Sequence, residues 1–419
     1  MTFSPTSVSA SAGSLLGPRF IDSSRVKVIR NDAEALETAR ALSKRFSQDA
    51  STRDAQRRLP WQELDEFSYS GLGGITVPRE YGGADVSYQT VAEVFRLLSA
   101  ADPALGQIPQ NQFGVLGVVK ELASEEQKAH WFGLVLKGQR FGNAGPERGT
   151  KTILHQRTRI AEQPGQDKLS LNGTRFYSTG ALYAHWIPTR ALDEQGRAVL
   201  AFVPRSAPGV DVIDDWSAFG QRITASGTVT FNDVQVPLEH TLPVWQIVNK
   251  PGLSGPSSQL IQAAIDAGIA SNAIDDAIQF VREHARPWTD SGVARASDDP
   301  YTIHAFGRLK IDLHAANAVL LEAAATLDEI ASQPIGDKDS ARASVAVAEA
   351  KILTTEVALE ASERLFELAG ASATRAKHNL DRHWRNARTH TLHDPVRWKY
   401  HLLGNYYLND VLPARHQWN

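Results

Sequence analysis

The chain has 419 residues, which is more than one hydrophobic core usually supports, so two or three packed regions are expected. Its 44 lysines and arginines nearly balance 47 aspartates and glutamates, and the formal charge of -3 argues against nucleic acid or anionic membranes as partners. The sequence contains neither an apolar run near the roughly 18 to 20 residues that span a bilayer nor a secretory signal at its start, so a cytoplasmic protein is expected.

Sulfur is almost missing from the sequence. There is no cysteine, and the one methionine is Met1. Two explanations fit this composition: synthesis when sulfur is scarce, or contact with a peroxide-like oxidant that would convert thiols and thioethers to sulfenic acid or sulfoxide. The two explanations are compatible with each other.

The first part of the chain divides into a tail and a helical region. Residues 1–25 are rich in Ser, Thr and Gly and predict a flexible N-terminal tail. Residues 26–139 predict an N-terminal helical domain, in which Asn31 or Asp32 caps the first helix. The stretch SEEQ at 124–127 is typical of a capping box that opens another helix.

The pattern of residue types changes near residue 140. Short alternating runs rich in Val, Thr and Phe predict a middle β domain at 140–245, with a turn at Asn172-Gly173. Residues 246–419 predict a C-terminal helical domain whose long helices are typical of a bundle. The three long helices are expected at about 258–285, 300–333 and 338–369.

Histidine, arginine and tryptophan are concentrated in DRHWRNARTHTLHDPVRWKY at 381–400. Asp before Pro is a helix-start signal, which predicts Asp394 as the cap and Pro395 as the first residue of a last helix. His390 and His393 would then lie in the loop before that helix. The arginines of this stretch are expected mainly to tie helices together through ion pairs.

Several motifs carry a resemblance to a known family. GLGGITVPREYGGA at 71–84 and DDWSAFGQRITASGTVTFNDVQVP at 214–237 resemble the acyl-CoA dehydrogenase superfamily. ARPWTDSG, DDPYTI and DRHWRNARTHTLHDPV resemble its branch containing dibenzothiophene monooxygenase and the bacterial sulfur-acquisition oxidoreductases. The resemblance covers nearly the whole chain beyond residue 30. It implies an α+β fold with an N-terminal helical domain, a middle β-barrel or sandwich domain and a C-terminal four-helix bundle.

The resemblance also implies a reaction. FMNH2 from a separate NAD(P)H:FMN reductase would react with O2, and a flavin C4a-hydroperoxide would pass one oxygen atom to a small organosulfur compound. The sequence contains no Walker loop and no GxGxxG motif for a nicotinamide cofactor, which agrees with an external reductase. The alternatives are an N- or C-hydroxylase of the same fold, an acyl-CoA dehydrogenase that holds FAD, and a binding protein without flavin.

A dehydrogenase would need a carboxylate to remove the proton alpha to the thioester carbonyl. Related dehydrogenases carry this acid in the loop before the last helix or upstream of the arginine that matches Arg286. Here the loop RTHTLHDP offers only Asp394, which is read as a cap, and the upstream stretch PGLSGPSSQLIQAAI contains no acid. The sequence therefore favours the monooxygenase.

Histidine suits the monooxygenase because imidazole can accept and return a proton near neutral pH. The resemblance places His393 over the flavin as the residue that stabilises the hydroperoxide, with His390 close by. Asn143 matches an amide that binds the flavin, and Thr179 matches a hydroxyl near flavin N5. His383 is expected to satisfy a buried carbonyl group. No metal site is predicted, because no third strong ligand joins His390 and His393 at a recognised spacing.

Two further residues match positions near the flavin phosphate. Arg286 matches an arginine that commonly reaches the phosphate from an adjacent subunit, and a guanidinium suits that geometry. Ser372, in the loop AGASAT, matches a position near the same phosphate. The resemblance thus implies FMN as the cofactor and a homotetramer as the assembly.

The chain departs from its family in the pocket. The aromatic-sulfur enzyme of the family has His and Tyr where this chain has Gln107 and Asn111, which predicts a more polar substrate site. Gln112 stands where the sulfur-acquisition branch usually has His, and Pro146 stands where Ser is common. Trp216 is expected to wall the substrate pocket.

Overall fold

The computed structural model describes residues 17–152, 155–163, 165, 167–416 and 418–419. Most of the tail predicted at 1–25 lies outside the described residues. Within its described part, Ile21 is buried, and the Asp22 side chain accepts a hydrogen bond from the Ser24 amide at the start of a short turn.

Six helices form the N-terminal part, as the sequence predicted. Asn31 is the cap of the first, because its side chain accepts from the Glu34 amide at 3.0 Å. The capping box is confirmed, with Ser124 and Gln127 each bonding the other's backbone. The helices are α1 (Asp32–Ser47), α2 (Ala50–Ala55), α3 (Trp61–Ser70), α4 (Tyr88–Ala101), α5 (Pro103–Leu122) and α6 (Glu125–Leu136).

The middle part is one seven-stranded mixed sheet with the order β5-β6-β2-β1-β3-β4-β7. All neighbouring strands run antiparallel except β1 and β3. The strands are β1 (Arg159–Glu162), β2 (Lys168–Arg175), β3 (Trp186–Leu192), β4 (Ala198–Pro204), β5 (Val210–Ile213), β6 (Thr228–Pro237) and β7 (Thr241–Leu242).

The turn predicted at Asn172-Gly173 is wrong, because both residues lie inside β2. The pairing of β2 with β6 shifts register between Leu171 and Gly173, which marks a bulge. Gly173 has φ of 149°, and a Cβ there would lie 2.4 Å from Thr158 Oγ1. The glycine therefore serves a close approach of two strands rather than a hairpin.

Five helices form the C-terminal part, and the three long ones confirm the prediction of long helices. α7 packs against both α4 and α9, and α8 packs against α7 and α9. Gly268 lets α7 approach α4, since a Cβ there would lie 2.5 Å from the Arg96 carbonyl oxygen. None of the described helices combines the length and apolarity needed to cross a bilayer. The five are α7 (Ser254–Glu283), α8 (Pro300–Ala331), α9 (Asp337–Ala369), α10 (Asp381–His390) and α11 (Arg397–Asn409).

The predicted cap at Asp394 is also wrong. α11 begins at Arg397, and neither Asp394 oxygen has a hydrogen-bond partner among the described residues. Lys399 Nζ lies 3.7 Å from the Asp394 carboxylate, so the acid faces a buried cation instead of the helix amides. His390 is the last residue of α10, and only His393 lies in the connecting loop.

Candidate functional site

A cavity of about 860 Å³ opens between α5, the sheet loops and the α10–α11 connection. This volume falls within the range of small-molecule and cofactor sites, roughly 300 to 1,000 Å³. Six of the residues predicted for the site line it: Gln107, Asn111, Asn143, Thr179, Trp216 and His393. Residues remote in the sequence thus share one cavity wall.

The start of α5 positions the amides on one side of the cavity. Asp102 caps this helix, since its carboxylate accepts from the Ala104 amide at 3.1 Å. The buried guanidinium of Arg53 holds the same carboxylate at 2.9 Å. Gln107 and Asn111 are four residues apart, so they lie on the same face of the helix.

Thr179 ends a chain of hydroxyl groups on the sheet side. Its Oγ1 lies 2.7 Å from Ser226 Oγ, which lies 2.7 Å from Thr224 Oγ1. Thr224 donates to the carbonyl oxygen of Gln221 at 3.0 Å. Because a hydroxyl has one proton, Ser226 donates to Thr224 and Thr179 donates to Ser226. The Thr179 oxygen therefore remains an acceptor for a donor in the cavity.

Asn143 and Trp216 stand on the same side of the cavity as Thr179. Asn143 is half-buried between Phe141 and Ala144, both bridged to β3, and its amide nitrogen lies 3.5 Å from the Tyr177 carbonyl. The Trp216 indole nitrogen donates to the Gln221 carbonyl at 2.9 Å. Its ring stands edge-on to the Tyr177 ring at 6.0 Å. Trp216 is thereby fixed as a wall of the cavity.

His393 lines the cavity in a defined protonation state. Its Nδ1 lies 2.6 Å from the His390 carbonyl oxygen, which can only accept, so Nδ1 carries a proton. Its Nε2 lies 2.9 Å from the amide nitrogen of Gln107. His393 is exposed toward the cavity, but the protein atoms packed around its ring, together with the neighbouring His390, lower its pKa to about 4. His393 is therefore neutral at pH 7, with its lone pair on Nε2.

His390 does not line the cavity. Its ring is fully buried, and Nδ1 lies 2.5 Å from the Asp266 carboxylate of α7. Asp266 also accepts from Lys351 Nζ at 2.8 Å and from Thr355 Oγ1 at 3.0 Å. Burial alone would raise the pKa of Asp266, but Lys351 and His390 outweigh it and hold that pKa below its usual range. His390 therefore bonds His393 through its backbone carbonyl oxygen, while its own ring is held in place by Asp266.

His383 bonds a carboxylate, which corrects the prediction that it satisfies a buried carbonyl group. Its Nε2 lies 2.8 Å from the Asp276 carboxylate, an acid that also pairs with Arg382. Arg286 and Ser372 are exposed and do not line this subunit's cavity. They follow α7 and α9, at the far ends of these helices.

The sequence reading missed several polar residues of the cavity. Like the predicted Gln107, whose Oε1 is unpartnered, three such residues that line the cavity have buried atoms without a hydrogen-bond partner in the described chain: Gln221 Oε1 and Nε2, Gln262 Oε1 and Thr389 Oγ1. Gln262 lies in the stretch searched only for acids, and Asp266 follows the last residue of that stretch. A search of α7 for any polar residue at helical spacing would have found both.

These side chains fit a flavin. The edge of an isoalloxazine ring alternates donors and acceptors, and unpartnered amide and hydroxyl groups complement such an edge. Lys250, Arg190 and Arg415 also line the cavity and supply positive charge for a phosphate. In the described part of the chain, no three His, Cys, Asp or Glu residues cluster as a metal site.

Two carboxylates line the cavity, and neither stands at His393. Glu147 accepts from the backbone amides of Arg157 and Thr158 and pairs with the buried Arg175. Glu121 lies fourteen positions after Gln107 on α5, roughly 21 Å along the helix. Among the described residues that line the cavity, neither acid is therefore placed as a base beside His393, and the adjacent Asp394 faces Lys399.

Comparison with known proteins gives the family. The models for the acyl-CoA dehydrogenase N-terminal and C-terminal domains match residues 31–139 and 260–398. The probable FMNH2-dependent monooxygenase SfnC of Pseudomonas putida is 32% identical over 398 residues, which cover 91% of this chain and 96% of that protein.

Two solved structures are also similar. TdsC from Paenibacillus sp. A11-2, a dibenzothiophene monooxygenase solved with FMN bound, is 33% identical with a TM-score of 0.87, over 92% of this chain and 100% of TdsC. The methanesulfinate monooxygenase MsuC of Pseudomonas fluorescens is 31% identical with a TM-score of 0.84, over 92% and 99% of the two chains. This chain therefore belongs to the acyl-CoA dehydrogenase family, in the branch of flavin-dependent monooxygenases that contains these relatives.

Proposed function

We propose that this protein is a cytoplasmic, two-component monooxygenase that uses FMNH2 and O2 to oxygenate a small organosulfur compound in sulfur acquisition. A separate NAD(P)H:FMN reductase supplies the reduced flavin. The observation that carries the proposal is the position of His393 in the cavity wall, with Nδ1 at 2.6 Å from the His390 carbonyl oxygen and Nε2 at 2.9 Å from the Gln107 amide nitrogen. In the described chain, no carboxylate occupies the place of His393 in the cavity wall.

Reduced FMN, when bound, supplies the activation of O2 and the oxygen atom that is transferred. The protein contributes proton control and exclusion of water. His393 accepts a proton at Nε2 and returns it, because its Nδ1 proton is committed to the His390 carbonyl. Thr179 presents an acceptor oxygen toward the cavity, which suits the N5–H that reduced flavin carries and oxidised flavin lacks. Asn143 adds an amide on the same side.

The proposed substrate is small and polar. TdsC is named for dibenzothiophene and MsuC for methanesulfinate, so the branch handles both aromatic and small oxygenated sulfur compounds. Here Gln107 and Asn111 line the cavity with amides, beside Gln110 and Gln262. Amide donors fit the oxygen atoms of a sulfinate, sulfoxide or sulfone better than a fused aromatic ring. Trp216 forms the apolar wall against the carbon side of such a substrate.

The proposed assembly is a homotetramer in which subunits complete each other's flavin sites. Arg286 and Ser372 are exposed on the surface of the subunit rather than in its own cavity. They can hold a flavin phosphate only if another copy brings its cavity to them. α11 leaves Trp398, Tyr407 and Leu408 exposed, and apolar surface of this kind is typical of subunit interfaces.

The experiment is a single-turnover reaction of the purified protein loaded with FMNH2 under anaerobic conditions. Oxygenated buffer is added with methanesulfinate, with dibenzothiophene or with no substrate, and product, H2O2 and oxidised FMN are measured. We expect delayed appearance of oxidised FMN without substrate and oxygenated product with methanesulfinate. Release of H2O2 equal to the O2 consumed, at the rate of free FMNH2, would reject the proposal. Anaerobic reduction of bound FAD by a thioester would support the dehydrogenase instead.

A further inference from the structure

Gln107 contacts His393 directly, and the chemistry of the two groups fixes the direction of the bond. His393 Nδ1 donates to the His390 carbonyl oxygen, so a neutral ring has its lone pair on Nε2. An amide nitrogen can only donate, and that of Gln107 lies 2.9 Å from Nε2. This bond exists only while Nε2 has no proton of its own.

The orientation of the Gln107 amide depends on His393 alone. The side chain is 3% exposed, and its Oε1 has no partner in the described structure. Turning the amide would place Oε1 against the Nε2 lone pair, and two acceptors repel each other. The observed orientation is therefore matched to a neutral imidazole.

No charge at Nε2 competes with this amide. The charged or titratable groups packed around the ring are Asp266 on α7, Lys351 on α9, His390 on α10, and Asp394 with Lys399 around the start of α11. Asp266 and Lys351 pair with each other at 2.8 Å, and Asp394 faces Lys399. Within the described ranges, the amide nitrogen of Gln107 is the hydrogen-bond partner of Nε2.

We propose that Gln107 is a positioning residue that keeps His393 neutral and preserves Nε2 as its proton-accepting nitrogen. The inference rests on the proposed function, in which His393 takes up a proton and returns it. An amide suits this task because it donates to Nε2 without titrating itself. A carboxylate at residue 107 would hold a proton on Nε2, and an imidazole there would add a second titrating group.

The test measures the protonation of His393 without flavin. Protein labelled with carbon-13 in its histidine rings is titrated from about pH 4.5 to 8.5, and His393→Gln identifies the signal. We expect the wild-type ring to stay neutral through most of this range. Gln107→Glu should raise the midpoint by about one pH unit or more, roughly tenfold in proton affinity. Gln107→Met removes the donor at similar volume and should raise the midpoint by a smaller amount.

Gln110→Glu is the matched control. Gln110 lies on the same helix and lines the same cavity, but it makes no hydrogen bond to His393. An equal shift in Gln110→Glu would overturn the inference, because the cavity charge rather than the contact would then set the midpoint. Wild-type midpoints in both Gln107 variants would overturn it as well, leaving burial as the cause. Thermal unfolding confirms that each variant is folded.

This outcome is independent of the oxygen reaction. A protein that fails to oxygenate any sulfur compound while the Gln107 variants shift as expected would remove the proposed function and keep the contact. Normal oxygenation, together with His393 midpoints that do not shift in the Gln107 variants, would keep the proposed function and remove the role of Gln107. In the loaded enzyme, Gln107→Glu should also move the pH dependence of H2O2 release, whereas a purely structural residue would change its amount at every pH alike.

Discussion

The proposed chemistry depends on one nitrogen atom of His393, Nε2. Its Nδ1 is bonded to a backbone oxygen and its Nε2 to a neutral amide, so the ring has one place at which to take up a proton. The supporting groups are themselves fixed, since the fully buried His390 ring is held by Asp266. The imidazole of His393 lies on a short loop and is thereby held by groups of α5, α7 and α10.

Replacement of His393 by Ala should uncouple the reaction. Without Nε2, the proton needed during oxygen transfer has no acceptor at this point, so we expect more H2O2 and less oxygenated product. The loss should be about 10² to 10⁴-fold in the product-forming rate, the usual range for one acid–base group. The measurement is the ratio of product to H2O2 in single turnover.

His401→Ala provides the comparison for this variant. His401 is an exposed histidine on α11 that bonds Asn405 of the same helix. It should leave the product-to-H2O2 ratio at the wild-type value. A wild-type ratio in His393→Ala would remove the role assigned to that residue.

Helix α7 connects the bundle core to the site. It is buried between α4 and α9, and one of its faces supplies Gln262 to the cavity while Asp266 reaches Lys351 and His390. These last three groups form a buried ion cluster with exposures of 1% or less. Such a cluster costs desolvation energy, and removal of one partner leaves the others uncompensated.

Asp266→Asn should therefore destabilise the protein by about 3 to 5 kcal/mol, because it leaves the Lys351 ammonium buried without its counter-ion. The free energy of unfolding, measured by urea denaturation, checks this value. Asp312→Asn breaks the surface pair with Arg308 on α8 and should cost no more than about 0.5 kcal/mol. Equal losses in the two variants would contradict the assignment of the cluster as a stabilising element.

At the scale of the whole molecule, the proposed homotetramer would add Arg286 of a neighbouring subunit to the flavin site. Arg286→Ala should weaken FMNH2 binding by about 1 to 3 kcal/mol if its guanidinium holds the phosphate of the flavin that is bound in a neighbouring subunit. The dissociation constant is measured anaerobically, and light scattering checks that the assembly is retained. Arg282→Ala, at an exposed position on the last turn of α7, should bind flavin as the wild type does. Unchanged affinity in Arg286→Ala would place this residue outside the flavin site.

Two histidines that the fold keeps neutral, the half-buried His185 and the exposed His393, make the stability of the whole molecule depend on pH. Partial removal of water from the rings lowers the pKa of both to about 4, while an unfolded chain keeps the pKa of histidine at about 6.5. Between these values the unfolded state binds more protons than the folded state. The free energy of unfolding should therefore fall as the pH decreases through this window, by at most about 1.4 kcal/mol per pH unit for His185 and by less for the exposed His393, whose charge solvent screens.

Thermal unfolding at pH 7.5, 6.5 and 5.5, as three nominal points about one unit apart, tests this dependence. His185 should contribute more than His393, because His185 is half-buried, whereas His393 is exposed and solvent screens its charge more. His185→Gln should make the dependence shallower. A melting temperature that rises steadily toward pH 5.5 would contradict the prediction.

The sequence by itself determined the family, the order of helices and sheet, and the presence of His393, Thr179 and Asn143 at one site. The order of helices and sheet follows from local signals, since capping and periodicity act over a few neighbouring positions, whereas the three site residues were implied by the resemblance to the family. Local signals gave wrong predictions at two positions where packing decided the structure. A bulge lies at Gly173 instead of the predicted turn, and Asp394 faces Lys399 instead of capping α11.

Only the tertiary structure decided which groups touch. Gln107 and His393 are 286 positions apart, and Asp266 and His390 are 124 positions apart. His393 is exposed toward the cavity, yet α5, α7, α9 and α10 pack around its loop and remove enough water from the ring to keep it neutral. A sequence pattern specifies the face of each helix but not the side chain that another helix will bring against it, so the proton state of the site is a property of the folded chain.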